Sequence, residues 1–281
     1  MSFGRALVLF GILAIGSIGC GDDTTSTGGG DEGGGATGGQ PAQGGSGGSD
    51  GSGGSGPVEP ACTEPTAVRC EDQVILGMNL QSEPAPGGIE TTAEGDGFVS
   101  VIDATAGGAF ATTPDSYTYG RFTDTGLEKV SISDEDSLTS MDWDIAFRRY
   151  VGRINSGNSG PSCVAAARVP GAPMYDELTS VPDDLTFRKD EYFTENCELI
   201  PDGTGLEGSP ATALSSYWTY PGCVQMTGNV YVVQLASGRH VKLTVTNFYN
   251  DESQEQCQTQ GTVPMQDTGS ANIRIRWAFL P

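Results

Sequence analysis

The sequence is poor in histidine and in basic residues. It contains one histidine, His240, and 14 Lys and Arg residues against 36 Asp and Glu residues. It also has no CxxC pair, and its histidine is far from any cysteine, so the spacing of a zinc site is missing. The acidic excess disfavours nucleic acid and anionic membrane surfaces as partners, because like charges repel. We expect no metal site and no nucleic-acid partner.

The familiar enzyme motifs are missing as well. Residues 58–281 contain no GxSxG turn, no HExxH, no P-loop, no GxGxxG at a strand–helix junction and no EF-hand spacing. Adjacent acids such as Asp183-Asp184 and Asp251-Glu252 are typical of solvated loop charges. With one histidine there is no nucleophile–base pair to assign. We therefore predict a protein that is not an enzyme; a hydrolase with an unfamiliar site is the least favoured alternative.

The N-terminus is typical of an exported protein. Arg5 precedes a short apolar run that ends at Cys20, and this layout matches a bacterial signal peptide. Gly19 and Cys20 fit a lipoprotein cleavage site, whereas Ser17 stands where leucine is usual. We predict lipidation at Cys20, with an ordinary secretory peptide as the alternative. No second apolar stretch approaches a membrane span, so the membrane would be reached through the lipid alone. The residue after the lipidated cysteine is Gly21 and not the acidic residue that marks inner-membrane retention in some bacteria, which favours the outer membrane.

The next segment predicts a flexible tether. Residues 21–57 contain 17 glycines and five acids but no Lys or Arg, and they offer almost nothing apolar to bury. Such a chain reaches roughly 30–35 Å on average. The predicted organisation is a signal peptide (1–19), a lipidated cysteine with a disordered Gly/Ser-rich tether (20–57) and one folded domain (58–281). That domain carries 31 acids and 13 bases.

Six cysteines remain in the folded domain, and an even number in an oxidising compartment predicts three disulfides. Their pairing cannot be read from the sequence, although Cys62 and Cys70 are close enough to form a local clip. The disulfide candidates are Cys62, Cys70, Cys163, Cys197, Cys223 and Cys257.

Alternating apolar and polar residues predict strands over most of the domain. Trp143 and Phe147 should be buried anchors, and Asp144 should find its partner on a neighbouring strand or among the N–H groups of a loop. No helical periodicity is sustained, so residues 200–216 and 250–270 and the acidic cluster Asp134–Asp136 are predicted as loops and a polar turn. The predicted strand regions are 97–103, 116–122, 141–148, 163–169, 185–188, 217–220, 230–236, 240–248 and 273–279. The fold class is all-β, with antiparallel sheets forming a sandwich or a partly closed barrel.

Three segments together resemble the HmuY family of bacterial haem-binding lipoproteins. They are the Trp-Asp strand at 143–150, the Asn-Ser-Gly-Asn-Ser-Gly loop at 155–160 and the late hairpin at 230–249. The resemblance covers roughly residues 97–250, and the loop departs from the family in detail. We expect the loop, which includes Asn155, to be a turn needed by the fold; the alternative is that it lines a ligand pocket.

The resemblance implies a haemophore-like protein that holds haem between two axial ligands, histidine or methionine. A pair of histidines is excluded because His240 is the only one, and it lies on the polar face of its strand. Methionine or tyrosine remains as an axial ligand. The candidates are Met226, Tyr220 and Met174.

Two functions of different class follow. The first is an envelope-anchored binding protein whose ligand is haem or another small hydrophobic molecule. The second is a surface structural or interaction module that has lost haem ligation. The strong acidity argues mildly against haem, because the haem propionates are anionic.

Overall fold

The computed structural model describes residues 60–105, 116–171, 173–204 and 209–281. Cys20, the predicted signal peptide and nearly all of the predicted tether lie outside the described residues, so their predictions stay predictions.

Within the described residues the chain forms twelve strands and three α-helices. The strands are β1 (Ile89–Glu94), β2 (Gly97–Asp103), β3 (Thr118–Thr123), β4 (Gly126–Val130), β5 (Ile145–Arg148), β6 (Val151–Ile154), β7 (Ala165–Arg168), β8 (Trp218–Thr219), β9 (Gln225–Met226), β10 (Val230–Gln234), β11 (His240–Asn247) and β12 (Asn272–Leu280). The helices are α1 (Glu71–Gly77), α2 (Asp134–Ser137) and α3 (Asp251–Gln260), and Tyr175–Glu177 and Ser215–Tyr217 form short 3-10 helices.

The strands form antiparallel sheets, which confirms the predicted fold class. A six-stranded sheet has the order β1-β2-β12-β11-β10-β7, and a four-stranded sheet has the order β4-β3-β5-β6. Strands β8 and β9 form a small ribbon in which Trp218 pairs with Met226. The two larger sheets share one apolar core, to which Phe147 and Trp277 belong. This arrangement is a two-sheet packing and not a closed barrel.

The alternation in the last strand sets the core face of the large sheet. Ile273, Ile275 and Trp277 are fully buried, whereas Arg274 and Arg276 on the opposite face are partly exposed. Strand β10 is apolar on both faces because Tyr231 packs into the main core and Val232 packs into a second cluster on the outer face of the sheet. Buried strands of this kind have continuous rather than alternating hydrophobicity.

Three disulfides are present, as predicted, but the local clip was wrong. The pairs are Cys62–Cys163, Cys70–Cys197 and Cys223–Cys257. Two of them therefore fasten the N-terminal segment of the domain to parts of the chain more than a hundred residues away. Long-range pairing depends on tertiary structure, and the proximity of Cys62 and Cys70 in sequence says nothing about it.

Two predicted polar regions are helices instead. Residues 251–260, predicted as a loop, form α3: Asn250 accepts a hydrogen bond from the Ser253 N–H at 2.8 Å, and Gly261 ends the helix with φ 72°. Ser133 caps α2 in the same way, where a polar turn was predicted. Helix α3 has no apolar stripe, so its caps were the usable signal in the sequence.

The strand boundaries also differ from the prediction in places. Strand β5 begins at Ile145, so Trp143 lies before it, and the predicted strand at 185–188 keeps only a bridge between Arg188 and Ala166. No helix among the described residues is long and apolar enough to cross a membrane.

Candidate functional site

A buried polar network lies beneath the Asn-Ser-Gly-Asn-Ser-Gly loop. At its centre is Arg153, which is fully buried. Arg153 Nε donates to Ser159 Oγ at 3.1 Å, and Nη1 donates to the Tyr119 hydroxyl at 3.2 Å. The Tyr119 hydroxyl donates to Asp134 at 2.9 Å, and Ser159 Oγ donates to Asp190 at 2.7 Å. One buried guanidinium is thus linked through two hydroxyls to two buried carboxylates.

The ionisation of Arg153 is set by its neighbours. Burial acts to lower its pKa, but the surrounding tyrosines and Asp134 outweigh that effect and hold the pKa above its usual value. The guanidinium also lies 4.7 Å from the centre of the Tyr117 ring. Arg153 is therefore charged in the folded protein, and the network serves to compensate that charge.

The loop itself is fastened by its two asparagines. The Asn155 side-chain amide donates to the carbonyls of Ser140 and Trp143, and its oxygen accepts from the Ser162 N–H. A Cβ at Gly160 would overlap the Asn155 side chain. These contacts support the structural interpretation of the loop, because they hold the Trp-Asp segment in place.

Asn158 joins three separate segments. Its amide donates to the Arg69 carbonyl at 2.9 Å, and its oxygen accepts from the N–H groups of Tyr192 and Phe193, both at 3.0 Å. The loop also lines a cavity, which is consistent with the alternative interpretation that it lines a ligand pocket. Sequence reasoning named the loop but could not see that its side chains connect segments distant in the chain.

Substitution of Gly157 tests the close packing of this loop. Gly157 has φ 59°, and a Cβ there would overlap the Asp190 carbonyl oxygen. Gly157→Ala should lower the free energy of unfolding by about 2–4 kcal/mol, from the left-handed backbone and the steric overlap together. The matched control is Gly171→Ala, where φ is 78° but no atom lies within 4 Å. It should cost only about 1–2 kcal/mol in urea unfolding; equal losses would contradict the assigned contact.

Burial raises the pKa of three aspartates, Asp134, Asp144 and Asp190. Burial raises the pKa of Asp190 to about 6, although the Ala213 N–H, the Ser159 hydroxyl and the Ile154 N–H hydrogen-bond to it. Burial likewise raises the pKa of Asp144 to about 6. The Phe122 N–H on strand β3 donates to Asp144 at 2.9 Å, which confirms the prediction that its partner is on a neighbouring strand.

These shifts make stability depend on pH. The folded pKa of Asp144, about 6, exceeds the value of about 3.9 expected in the unfolded chain, so the folded state holds the proton more tightly. Its contribution to stability is full below pH 4 and is lost as pH rises through 6. Between pH 5 and pH 7.5 this loss is about 1.4 kcal/mol. In urea unfolding at both values, Asp144→Asn should reduce the wild-type difference by that amount; an unchanged difference would contradict the assignment.

A cavity of about 360 Å³ opens between three segments: residues 66–69, residues 157–162 and residues 189–200. We call it the disulfide-framed cavity, because Cys62–Cys163 and Cys70–Cys197 join the first segment to the chain beside the other two. Its lining combines apolar, cationic and acidic side chains: Thr66, Ala67, Arg69, Asn158, Ser162, Lys189, Glu191, Phe193, Thr194, Glu195 and Ile200, with Gly157 and Gly160. No histidine, methionine or tyrosine lines it.

A smaller cavity of about 220 Å³ lies beside the β5–β6 turn. Met78, Tyr117 and Tyr150 line it together with Arg148 and Arg149. The Tyr117 hydroxyl is buried and has no hydrogen-bond partner among the described residues. At this volume the cavity is below the range of about 300–1,000 Å³ that is usual for small-molecule sites.

The structure does not bring the three predicted ligand residues together. Met226 pairs with Trp218 and packs against the main core. Tyr220, 48% exposed, follows the same ribbon. Met174 is 67% exposed, and the next residue, Tyr175, packs on the outer face of the large sheet. Tyr220 and Met226 therefore share one loop region, whereas Met174 belongs to another.

The remaining donors do not complete an enclosed pair. His240 is partly buried against the Phe187 ring, and burial lowers its pKa. Tyr192 and Tyr217 are fully buried and hydrogen-bonded, whereas Met265 is fully exposed. The residues of 58–281 outside the description include no histidine, methionine, tyrosine or cysteine. These donors therefore offer no pair that would enclose a haem, and the cavity of Met78, Tyr117 and Tyr150 is too small for one. In the same residues no cluster of three or more His, Cys, Asp or Glu could hold a metal ion.

The fold defines a disulfide-bonded antiparallel β domain. The family model of the HmuY protein matches residues 114–260, which is just over half of the chain. The chain belongs to the HmuY family. No curated protein sequence matches it.

Several solved structures are similar in part. A Bacteroides vulgatus protein described as HmuY-like and heme binding has 16% identity and TM-score 0.42, covering 68% of this chain and 96% of its own. A Bacteroides fragilis protein described as a lipoprotein has 13% identity and TM-score 0.39, covering 68% of this chain and 93% of its own. The apo HmuY analog of Tannerella forsythia has 15% identity and TM-score 0.37, covering 69% and 97%.

Proposed function

We propose that this chain is an envelope-anchored binding protein that takes up haem or a related porphyrin without transforming it. The observation that carries the proposal is the family match over residues 114–260, since resemblance to the HmuY family implies a haem-binding lipoprotein. The three disulfides are consistent with a compartment outside the cytoplasm. Cys20 would carry the lipid, and the segment to residue 57 would hold the domain away from the membrane, which we expect to be the outer membrane.

The described donors favour haem held from one side at the surface. Tyr220 and Met226 lie within one loop region, where the Cys223–Cys257 disulfide fixes the chain between them to α3. A phenolate and a thioether are both axial ligands of haem iron. Either Tyr220 or Met226 would therefore supply the single bond from the protein to the metal. Trp218 and Tyr150, whose ring centres are 5.0 Å apart, stiffen the ribbon beneath. The proposed role of this region is to bind and orient the porphyrin.

An absorbance titration of the full chain with haemin tests the proposal. A saturable Soret shift at one equivalent is expected, and Tyr220→Phe or Met226→Leu should shift or weaken it by about tenfold or more, as loss of an iron ligand would. Met174→Leu, at an exposed side chain away from the β8–β9 ribbon, is the matched control and should leave the spectrum unchanged. Broad, unsaturable spectra would contradict haem binding and favour the interaction module.

A further inference from the structure

We propose that the disulfide-framed cavity binds a zwitterionic ligand with an apolar side chain, of the size of an amino acid or a dipeptide. This site is separate from the Tyr220–Met226 region and does not depend on haem. Three properties of the cavity support the proposal: its fixed walls, its unpaired charges of both signs and its apolar surface.

The walls of the cavity are fixed before any ligand arrives. Asn158 alone hydrogen-bonds to the Arg69 carbonyl in the first segment and to the N–H groups of Tyr192 and Phe193 in the third. The Thr66 N–H donates to the Pro161 carbonyl at 2.8 Å, which joins the first segment to the second. With two disulfides added, little conformational entropy remains to be lost on binding.

The charged side chains of the cavity have no partners in the part of the chain that the structure describes. Among the described residues, Arg69, Lys189, Glu191 and Glu195 make no side-chain hydrogen bond or ion pair. By contrast, Arg121 pairs with Asp142 on the surface. Two cations and two acids lining one cavity suit a ligand that brings both a carboxylate and an ammonium group.

The charge of the domain as a whole favours the same ligand class. With 31 acids and 13 bases, the domain repels a free anion, whereas a ligand with no net charge approaches without that penalty. A purely anionic ligand would also meet Glu191 and Glu195 in the cavity.

The apolar lining of the cavity and its volume determine the side chain and the size of the ligand. Phe193 and Ile200 line it, and Ile200 is one of the few large apolar side chains left exposed in the described domain. A volume of about 360 Å³ lies at the lower end of the range of about 300–1,000 Å³ for small-molecule sites. It suits an amino acid or a dipeptide rather than a porphyrin.

Isothermal titration of the full chain with the dipeptide Leu-Phe tests the proposal. We expect a Kd between about 1 μM and 1 mM. Acetylation of the dipeptide's amine or amidation of its carboxylate should each weaken binding at least about tenfold. The double variants Arg69→Gln/Lys189→Gln and Glu191→Gln/Glu195→Gln should do the same, and both pairs are at the surface, so folding should persist.

Two controls lie outside the cavity. Arg168→Gln and Asp183→Asn change exposed charges elsewhere and should leave the Kd unchanged. The proposal is overturned if Leu-Phe gives no saturable heat at millimolar concentration. It is also overturned if the blocked dipeptides bind as well as the free one, or if the cavity variants bind like wild type. A failure of the haemin titration leaves it untouched, because that experiment tests other residues.

Discussion

Replacing Arg153 with methionine should lower the free energy of unfolding by about 3–5 kcal/mol. The change removes one charge from a buried network, leaves the Asp190 carboxylate without a cation, and leaves Asp134 with only Arg148, 4.0 Å away. Tyr119 and Ser159 would also lose a donor each. Urea unfolding at pH 7.5 measures the loss, and the pKa of Asp190 should rise further above its present value of about 6.

The matched control for this prediction is Arg121→Met. Arg121 pairs with Asp142 at 3.0 Å, but both side chains are largely exposed, so the change should cost less than about 1 kcal/mol. If Arg153→Met also cost less than 1 kcal/mol, the network would not be a necessary part of the fold. The family-like loop above it would then need another explanation.

Removing the Cys70–Cys197 disulfide is the second large change. The double variant Cys70→Ser/Cys197→Ser should lower the free energy of unfolding by about 4 kcal/mol, because with Cys62–Cys163 intact the bond still closes a loop of roughly 40 residues in the unfolded chain. The N-terminal segment that carries Arg69 would still be held by Cys62–Cys163, by hydrogen bonds such as that from Asn158, and by the burial of Val74 and Met78. Urea unfolding under non-reducing conditions measures the loss, and limited proteolysis should cut near α1 first.

The Cys223–Cys257 bond provides the comparison. It spans 34 residues, so the corresponding double variant should cost about 4 kcal/mol and leave the segment around α1 protected from protease. Proteolysis near α1 in both variants, or in neither, would contradict the role assigned to Cys70–Cys197.

The sequence was most informative where structure is local. Alternation predicted β11 and β12 and the buried faces that Val241 and Trp277 occupy, because a strand's side chains point to opposite faces in turn. Burial of Trp143 and Phe147 was also confirmed. They nevertheless belong to different core clusters, because the chain becomes a strand only after Trp143.

What the sequence could not provide depends on distant residues. The disulfide-framed cavity is lined by segments around Arg69, Asn158 and Phe193. Hydrophobic periodicity carries no information about contacts between segments so far apart in the sequence. The same holds for the haem-ligand candidates, because the separation of Met174 from Met226 follows from which sheet face each segment meets. Helix α3 escaped prediction because only Ser253, Gln254 and Cys257 are buried along it, which leaves no apolar stripe.

Isolation of the native protein from its own cells, in detergent and without reducing agent, tests the central claim most directly. Its absorbance spectrum and intact mass are measured on the same sample. The account predicts a Soret band from a co-purifying porphyrin, a polypeptide that begins at Cys20 with acyl chains attached, and six oxidised cysteines in the domain. A polypeptide that retains Met1, with free thiols and no porphyrin band, would contradict it.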